Sequence, residues 1–146
     1  METIIQIQKA TTDQFDSVCQ LLATENLPTV DINPLLENFF VAIDNNAISG
    51  VIGMDKYGQA GLLRSAIVRK DYRNTGVASA LVNHLFEHAK SRGIQSLYLI
   101  TNTAEEYFKK KGFEKISRND VPAEVLQSKE FNGLCPASSA IMFCEL

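Results

Sequence analysis

Apolar residues recur at two spacings along this chain, and the alternation between them lays out its elements. Thr3 to Gln8 alternates isoleucine with polar residues, which predicts a strand with Ile5 and Ile7 on one face. Thr12-Asp13 offers an N-cap, and Phe15, Val18, Cys19 and Leu22 then recur at helical spacing, predicting a helix to about Thr24. Residues 26–34 form a loop punctuated by Pro28 and Pro34, readable either as a lid over a pocket or as a surface connection. Leu35 to Asn38 predicts one further helical turn. Phe39 to Ile43 and Ile48 to Asp55 read as strands joined by turn residues 44–47, a hairpin whose second strand contains Gly50 and Gly53.

The apolar run Leu62 to Val68 predicts the fourth strand. A long helix follows from about Thr75 to Arg92, with Val77, Ala78, Leu81, Val82, Leu85, Phe86 and Ala89 as its stripe and Gly93 as its stop. Leu97 to Ile100 is a short strand, and Thr103 to Lys110 a helix ended by Gly112. Phe113 to Ser117 is a strand, Pro122 to Gln127 a short helix, and Ala140 to Leu146 the closing strand. Strand, helix, strand over residues 62–100 implies a parallel pair joined by a crossover, while the hairpins imply antiparallel neighbours. The expectation is an α+β domain spanning 1–146, with helices on the faces of a mixed sheet.

Composition narrows the partners. A net charge of −3 over 146 residues argues against a general binder of nucleic acid or anionic membrane. No apolar stretch approaches the ~20 residues of a membrane span, and the first residues do not read as a signal peptide. Cys19, Cys135 and Cys144 fit no zinc spacing and read as reduced thiols of a cytoplasmic protein. His84-Leu85-Phe86-Glu87-His88 satisfies the letters of a zinc-protease pattern, but it lies on the long helix with Leu85 and Phe86 in the stripe; solvated or half-buried histidines are the reading.

Candidate chemistry concentrates between residues 62 and 78. The start of a helix exposes backbone N–H groups and the positive end of its dipole, where an anionic group can settle. Gly76 allows close approach to the backbone, and Arg73 adds a forked cationic donor. The run Val68-x-x-x-Tyr72-Arg73-x-x-Gly76-x-Ala78, between an apolar strand and a helix, resembles the acetyl-CoA-binding motif of the GNAT superfamily of N-acetyltransferases. A second segment agrees with the pattern N-x-x-A-x-x-[LF]-Y-x-x-x-G-F of that superfamily. Ala104, Gly112 and Phe113 fall in register, while Thr101 stands for the asparagine and Phe108 for the tyrosine that in many relatives protonates the departing thiolate.

The resemblance implies a GNAT fold: a mostly antiparallel sheet of six to seven strands, splayed between strands 4 and 5, with helices on both faces. It implies acetyl-CoA as cosubstrate. Ala66, Ile67 and Val68 match the strand segment whose backbone binds pantetheine and polarises the thioester carbonyl. Arg73, Asn74, Thr75, Gly76, Val77 and Ala78 match the pyrophosphate loop, and Thr101, Thr103 and Phe108 are placed on the cofactor side. A backbone N–H aimed at the thioester oxygen would stabilise the developing oxyanion. Homodimers are frequent among such relatives, and nothing in the sequence fixes an interface.

Two residues in the fourth strand bear on the acceptor. Arg64, with Ser65, either holds an acid group of the acceptor in a bidentate pair or answers a structural acid such as Asp55. Tyr107 and Glu130 are the candidate catalytic residues, as proton donor and as acceptor of the ammonium proton. The alternatives are a packed tyrosine, one residue and about 100° from Phe108, and a surface or loop-pinning carboxylate. The segment 128–136, with residues 63–65 and 98–105, resembles a GNAT subgroup associated with arsenic resistance and similar to the acetyltransferase domain of N-acetylglutamate synthases. That implies a free amino acid or an amino-acid analogue, arsenic-containing ones included, as the small-molecule amine acceptor. The rivals are acetylation of a protein N-terminus or lysine, and a degenerate module that binds CoA without turnover. No metal is required by the expected chemistry.

Overall fold

A computed structural model of the chain describes residues 5–25, 27, 29, 32–101, 104–126 and 140–146. The elements in order are β1 (Gln6–Lys9), α1 (Phe15–Ala23), β2 (Phe39–Asp44), β3 (Ala47–Tyr57), β4 (Ala60–Val68), α2 (Val77–Ser91), β5 (Ser96–Thr101), α3 (Glu105–Lys110), β6 (Glu114–Ile116), α4 (Ala123–Leu126) and β7 (Ala140–Glu145). Strand pairing follows the order β1-β2-β3-β4-β5-β7-β6. The pairs β1–β2, β2–β3, β5–β7 and β6–β7 are antiparallel, and β4–β5 is parallel across the α2 crossover. This is the expected mixed α+β sheet. β7, last in the chain, lies between β5 and β6, a placement that connection lengths do not encode.

Two compact units divide the chain: Met1–Met54 with Ser65–His88, and Asp55–Arg64 with Ala89–Leu146. In the first, Val18 and Leu22 of α1 pack with Ile32, Leu36, Phe39, Val41, Val51 and Ile67 in one apolar core. β2 and β3 meet through Asn45 and Asn46, both left-handed at φ 50° and 63°. That is the backbone a tight two-residue hairpin asks of its centre, and asparagine tolerates it. In the second unit, Ala60, Leu62, Tyr98, Val121 and Val125 form a separate core.

Local expectations needed correction in four places. Residues 35–38 are not helical: Leu36 and Asn38 are left-handed at φ 53° and 61°, which no right-handed turn permits. Leu36 is fully buried, so its side chain fixes the irregular path. The first helical stretch is introduced by Thr11, whose N–H donates to Gln14 Oε1 at 2.9 Å, and begins as a 3-10 turn before α1. β3 runs on to Tyr57 and β4 begins at Ala60, leaving only Gly58-Gln59 as the turn. Gly58, at φ 64°, makes that short reversal possible. The last helix shortens to Ala123–Leu126, starting after Pro122.

Gly50 positions α2. A Cβ there would lie 3.0 Å from Leu81 Cδ1, 3.1 Å from the Ile67 carbonyl oxygen and 3.3 Å from Val77 Cγ1. The first turns of α2 therefore press on bare β3 backbone. Gly50→Ala should destabilise the fold by about 1–3 kcal/mol, read as a lower midpoint in thermal or urea unfolding. An unchanged midpoint would show that α2 has room to move.

Candidate functional site

In the first unit the chemistry-bearing segment is the end of β4, the turn after it and the start of α2. β4 pairs with β5 only over Ala60, Gly61 and Leu62, yet it continues to Val68. Its alternation breaks at Ser65, a buried non-glycine residue held at φ 58°. A left-handed L-residue costs roughly 1–2 kcal/mol, and it re-aims the strand as a bulge does. Ala66 then faces solvent while Ile67 returns to the apolar core.

The turn is tied down by its neighbours in the same unit. The Arg69 N–H donates to the Ser49 carbonyl at 2.8 Å, and Ser49 Oγ donates to the Ala42 carbonyl at 3.1 Å. The Tyr72 hydroxyl donates to the Asp44 carboxylate, and the Thr75 hydroxyl to the Tyr72 carbonyl. That carboxylate, more than any desolvation, holds the Tyr72 phenol above its ordinary pKa. Asn74 and Gly76 are left-handed at φ 63° and 90°.

Asn74, Thr75 and Gly76 are exposed, Ala78 is half-buried, and Val77 is buried with its side chain against β3. Ala80 N–H donates to the Gly76 carbonyl at 3.0 Å. The amides ahead of it, from Gly76 to Ala78, belong to the first turn and point outward from the helix start. Beyond its own chain neighbours, no atom of the described residues lies within 4 Å of the place a Gly76 Cβ would occupy. An exposed glycine turn, outward amides and an adjacent guanidinium suit a diphosphate such as that of coenzyme A. Arg73 itself is engaged: Nε donates to the Val68 carbonyl at 3.1 Å, and Nη2 meets Glu25 Oε1 at 2.8 Å. Nothing local in the sequence signals Glu25 or Asp44 as partners of this turn.

The second unit holds Arg64, Thr101, Tyr107 and Phe108. Arg64 is buried, and its Nη1 meets Asp55 Oδ2 at 3.0 Å with the arginine side chain 1% exposed. Asp55 is thus an acid partner of Arg64. Thr101 Oγ1 accepts the Ala104 N–H at 3.0 Å, which starts α3. Phe108 is buried, edge-on to Phe113 at 5.5 Å and to Tyr107 at 5.2 Å. Thr103, Glu130 and Cys135 lie outside the described residues. His84 and His88, in the first unit, both stand edge-on to Phe40, and His88 Nε2 lies 2.7 Å from Asn38 Oδ1.

The Tyr107 hydroxyl is buried and has no hydrogen-bond partner among the described residues. Burial pushes its pKa up. The neutral phenol therefore contributes stability in full below its ordinary pKa near ~10, and that contribution is lost as pH rises through the folded value. Tyr107→Phe breaks no bond of the described structure. It should leave the ligand-free protein equally stable or more stable by up to about 1 kcal/mol, and flatten the loss of stability above pH ~10. A lower melting midpoint in the variant would contradict the unpaired hydroxyl.

Comparison with known proteins identifies the family. The family profile described as Acetyltransferase (GNAT) domain matches residues 36–115, more than half of the chain. An amino-acid acetyltransferase of Ralstonia nicotianae is 27% identical over 127 residues, 81% of this chain and 28% of that protein. The chain thus spans under a third of the length of that relative. N-acetylglutamate synthase from Neisseria gonorrhoeae, solved with coenzyme A and N-acetyl-glutamate, superposes with a TM-score of 0.84 at 18% identity, over 100% of this chain and 36% of that one. The Mycobacterium tuberculosis protein Rv2747, solved in complex with CoA, superposes with a TM-score of 0.79 at 18% identity, over 97% of this chain and 99% of its own. The matched residues include the end of β4, the glycine turn and the start of α2, and the chain belongs to the GNAT acetyltransferase family.

Proposed function

We propose that this protein transfers the acetyl group of acetyl-CoA to the amino group of a small molecule, a free amino acid or an amino-acid analogue. The observation that carries the reading is the strand, turn and helix start of residues 65–78, whose exposed backbone and Arg73 suit a thioester carrier with a diphosphate. The acceptor class is supported by the relative named amino-acid acetyltransferase and by the likeness to a synthase solved with N-acetyl-glutamate.

In this reading the backbone of Ala66, Ile67 and Val68 lies along the pantetheine arm, and Arg73 to Ala78 hold the diphosphate. The resemblance adds Thr101, Thr103 and Phe108 as further candidate cofactor residues. Arg64 and Ser65 shape the acceptor side, Arg64 through the charge it shares with Asp55. The acceptor amine, having given a proton to a base or to water, attacks the thioester carbonyl. A C–N bond forms, the C–S bond breaks, and the thiolate takes a proton. Glu130 is the proposed base. Tyr107 is the proposed acid, because its hydroxyl is buried, neutral and without a partner among the described residues. A thiolate is a good leaving group, so that proton contributes modestly. The segment 128–136 places an arsenic-containing glutamate analogue among the acceptors to try.

Thiol release from acetyl-CoA, with free amino acids, that analogue and peptides as acceptors, tests the reading. Turnover on at least one free amino acid or analogue is expected. Turnover on peptides alone would favour modification of proteins. Calorimetric binding of CoA without turnover on any acceptor would favour a binding module, the reading that Phe108 supports. Arg73→Gln should raise the KM for acetyl-CoA about tenfold with little change in kcat, the loss of one charge-assisted contact. Tyr107→Phe should lower kcat a few-fold and leave both KM values in place.

A further inference from the structure

The guanidinium that suits the diphosphate already has a carboxylate on it. Glu25 Oε1 meets Arg73 Nη2 at 2.8 Å across a long sequence separation. The backbone of Glu25 is anchored although its side chain is exposed. Its own N–H donates to the Leu22 carbonyl at 3.2 Å, in the turn that closes α1. The Thr24 hydroxyl donates to the Leu21 carbonyl at 2.6 Å in the same turn, and Leu22 is fully buried in the unit's core. The carboxylate is thus delivered to Arg73 from an anchored helix end. Meanwhile Arg73 Nε stays on the Val68 carbonyl, which fixes the plane of the guanidinium. Arg69, the neighbouring cation, is matched by Asp71 at 3.4 Å.

We propose that Glu25 is a specificity-determining residue of the cofactor site: an internal counter-ion that occupies Arg73 in the free protein and that the diphosphate of the carrier must replace. The inference rests on the placement of acetyl-CoA argued above and names a further residue of that site. Its physics is competition for one fork of donors. Two anions cannot share the outer face of one guanidinium without repelling each other. A ligand with two phosphates beside the start of α2 gains the helix amides as well as Arg73, so it can displace the carboxylate. A fragment without phosphates gains nothing by displacing it. The ion pair is half-exposed, so the penalty it sets is small and falls with salt.

Calorimetry on the full chain tests this, with CoA and S-acetylpantetheine as ligands and Glu25→Gln, Arg73→Gln and the double variant as proteins. Glu25→Gln should tighten CoA about two- to fivefold, the range open to an exposed ion pair. It should leave S-acetylpantetheine unchanged, and the gain should vanish in the Arg73→Gln background. Unchanged or weaker CoA binding in Glu25→Gln overturns the proposal, as does an equal gain for both ligands or a gain that survives without Arg73. Wild-type protein that gives no heat with CoA, or Arg73→Gln that binds CoA as tightly as wild type, overturns the placement of the cofactor and this inference with it.

Discussion

The start of α2 can lie where it does because β3 offers it backbone without a side chain. At Gly50 three groups converge within ordinary or tighter contact: Leu81 and Val77 from α2, and the Ile67 carbonyl from β4. One missing Cβ therefore fixes the end of a strand and the beginning of a helix against the same point. The turn between them, residues 69–76, has both of its ends set before any ligand arrives. Preorganisation of this kind limits what ordering a binding partner must supply.

Charge in that turn is balanced from within. Arg73 is shared between the Val68 carbonyl and Glu25, Arg69 stands beside Asp71, and Tyr72 donates to Asp44. In a chain with net charge −3, the cations of this turn are thus partly neutralised by the chain's own acids. The helix amides are the part of the site that no side chain of the turn can neutralise, because they are fixed dipoles of the backbone.

Much of this was legible in the residues. Gly76 after Arg73, on the far side of an apolar strand, marks a turn that leads into a helix. The apolar stripe from Val77 to Ala89 marks the crossover helix. The parallel pairing of β4 with β5 follows from strand, helix and strand in succession. Other features were not legible. Leu36 is buried at a left-handed backbone where the local letters suggest a helical turn, since burial of a large side chain outweighs a few tenths of a kcal/mol of local propensity. Ser65 breaks β4 although serine carries no mark of a left-handed position. Nor did the sequence choose between Asp55 and any other acid as a partner for Arg64, and the two side chains lie 3.0 Å apart.

Local order and the family were written in the sequence, because periodicity, glycine placement and the spacing of two motifs are short-range properties. The partners of the side chains in the turn were decided only by the tertiary structure. Glu25 reaches Arg73, Asp44 reaches Tyr72, and β7 enters between β5 and β6, each across a separation over which spacing carries no signal. Such contacts depend on how buried faces stack, and that is settled by packing over the whole chain at once.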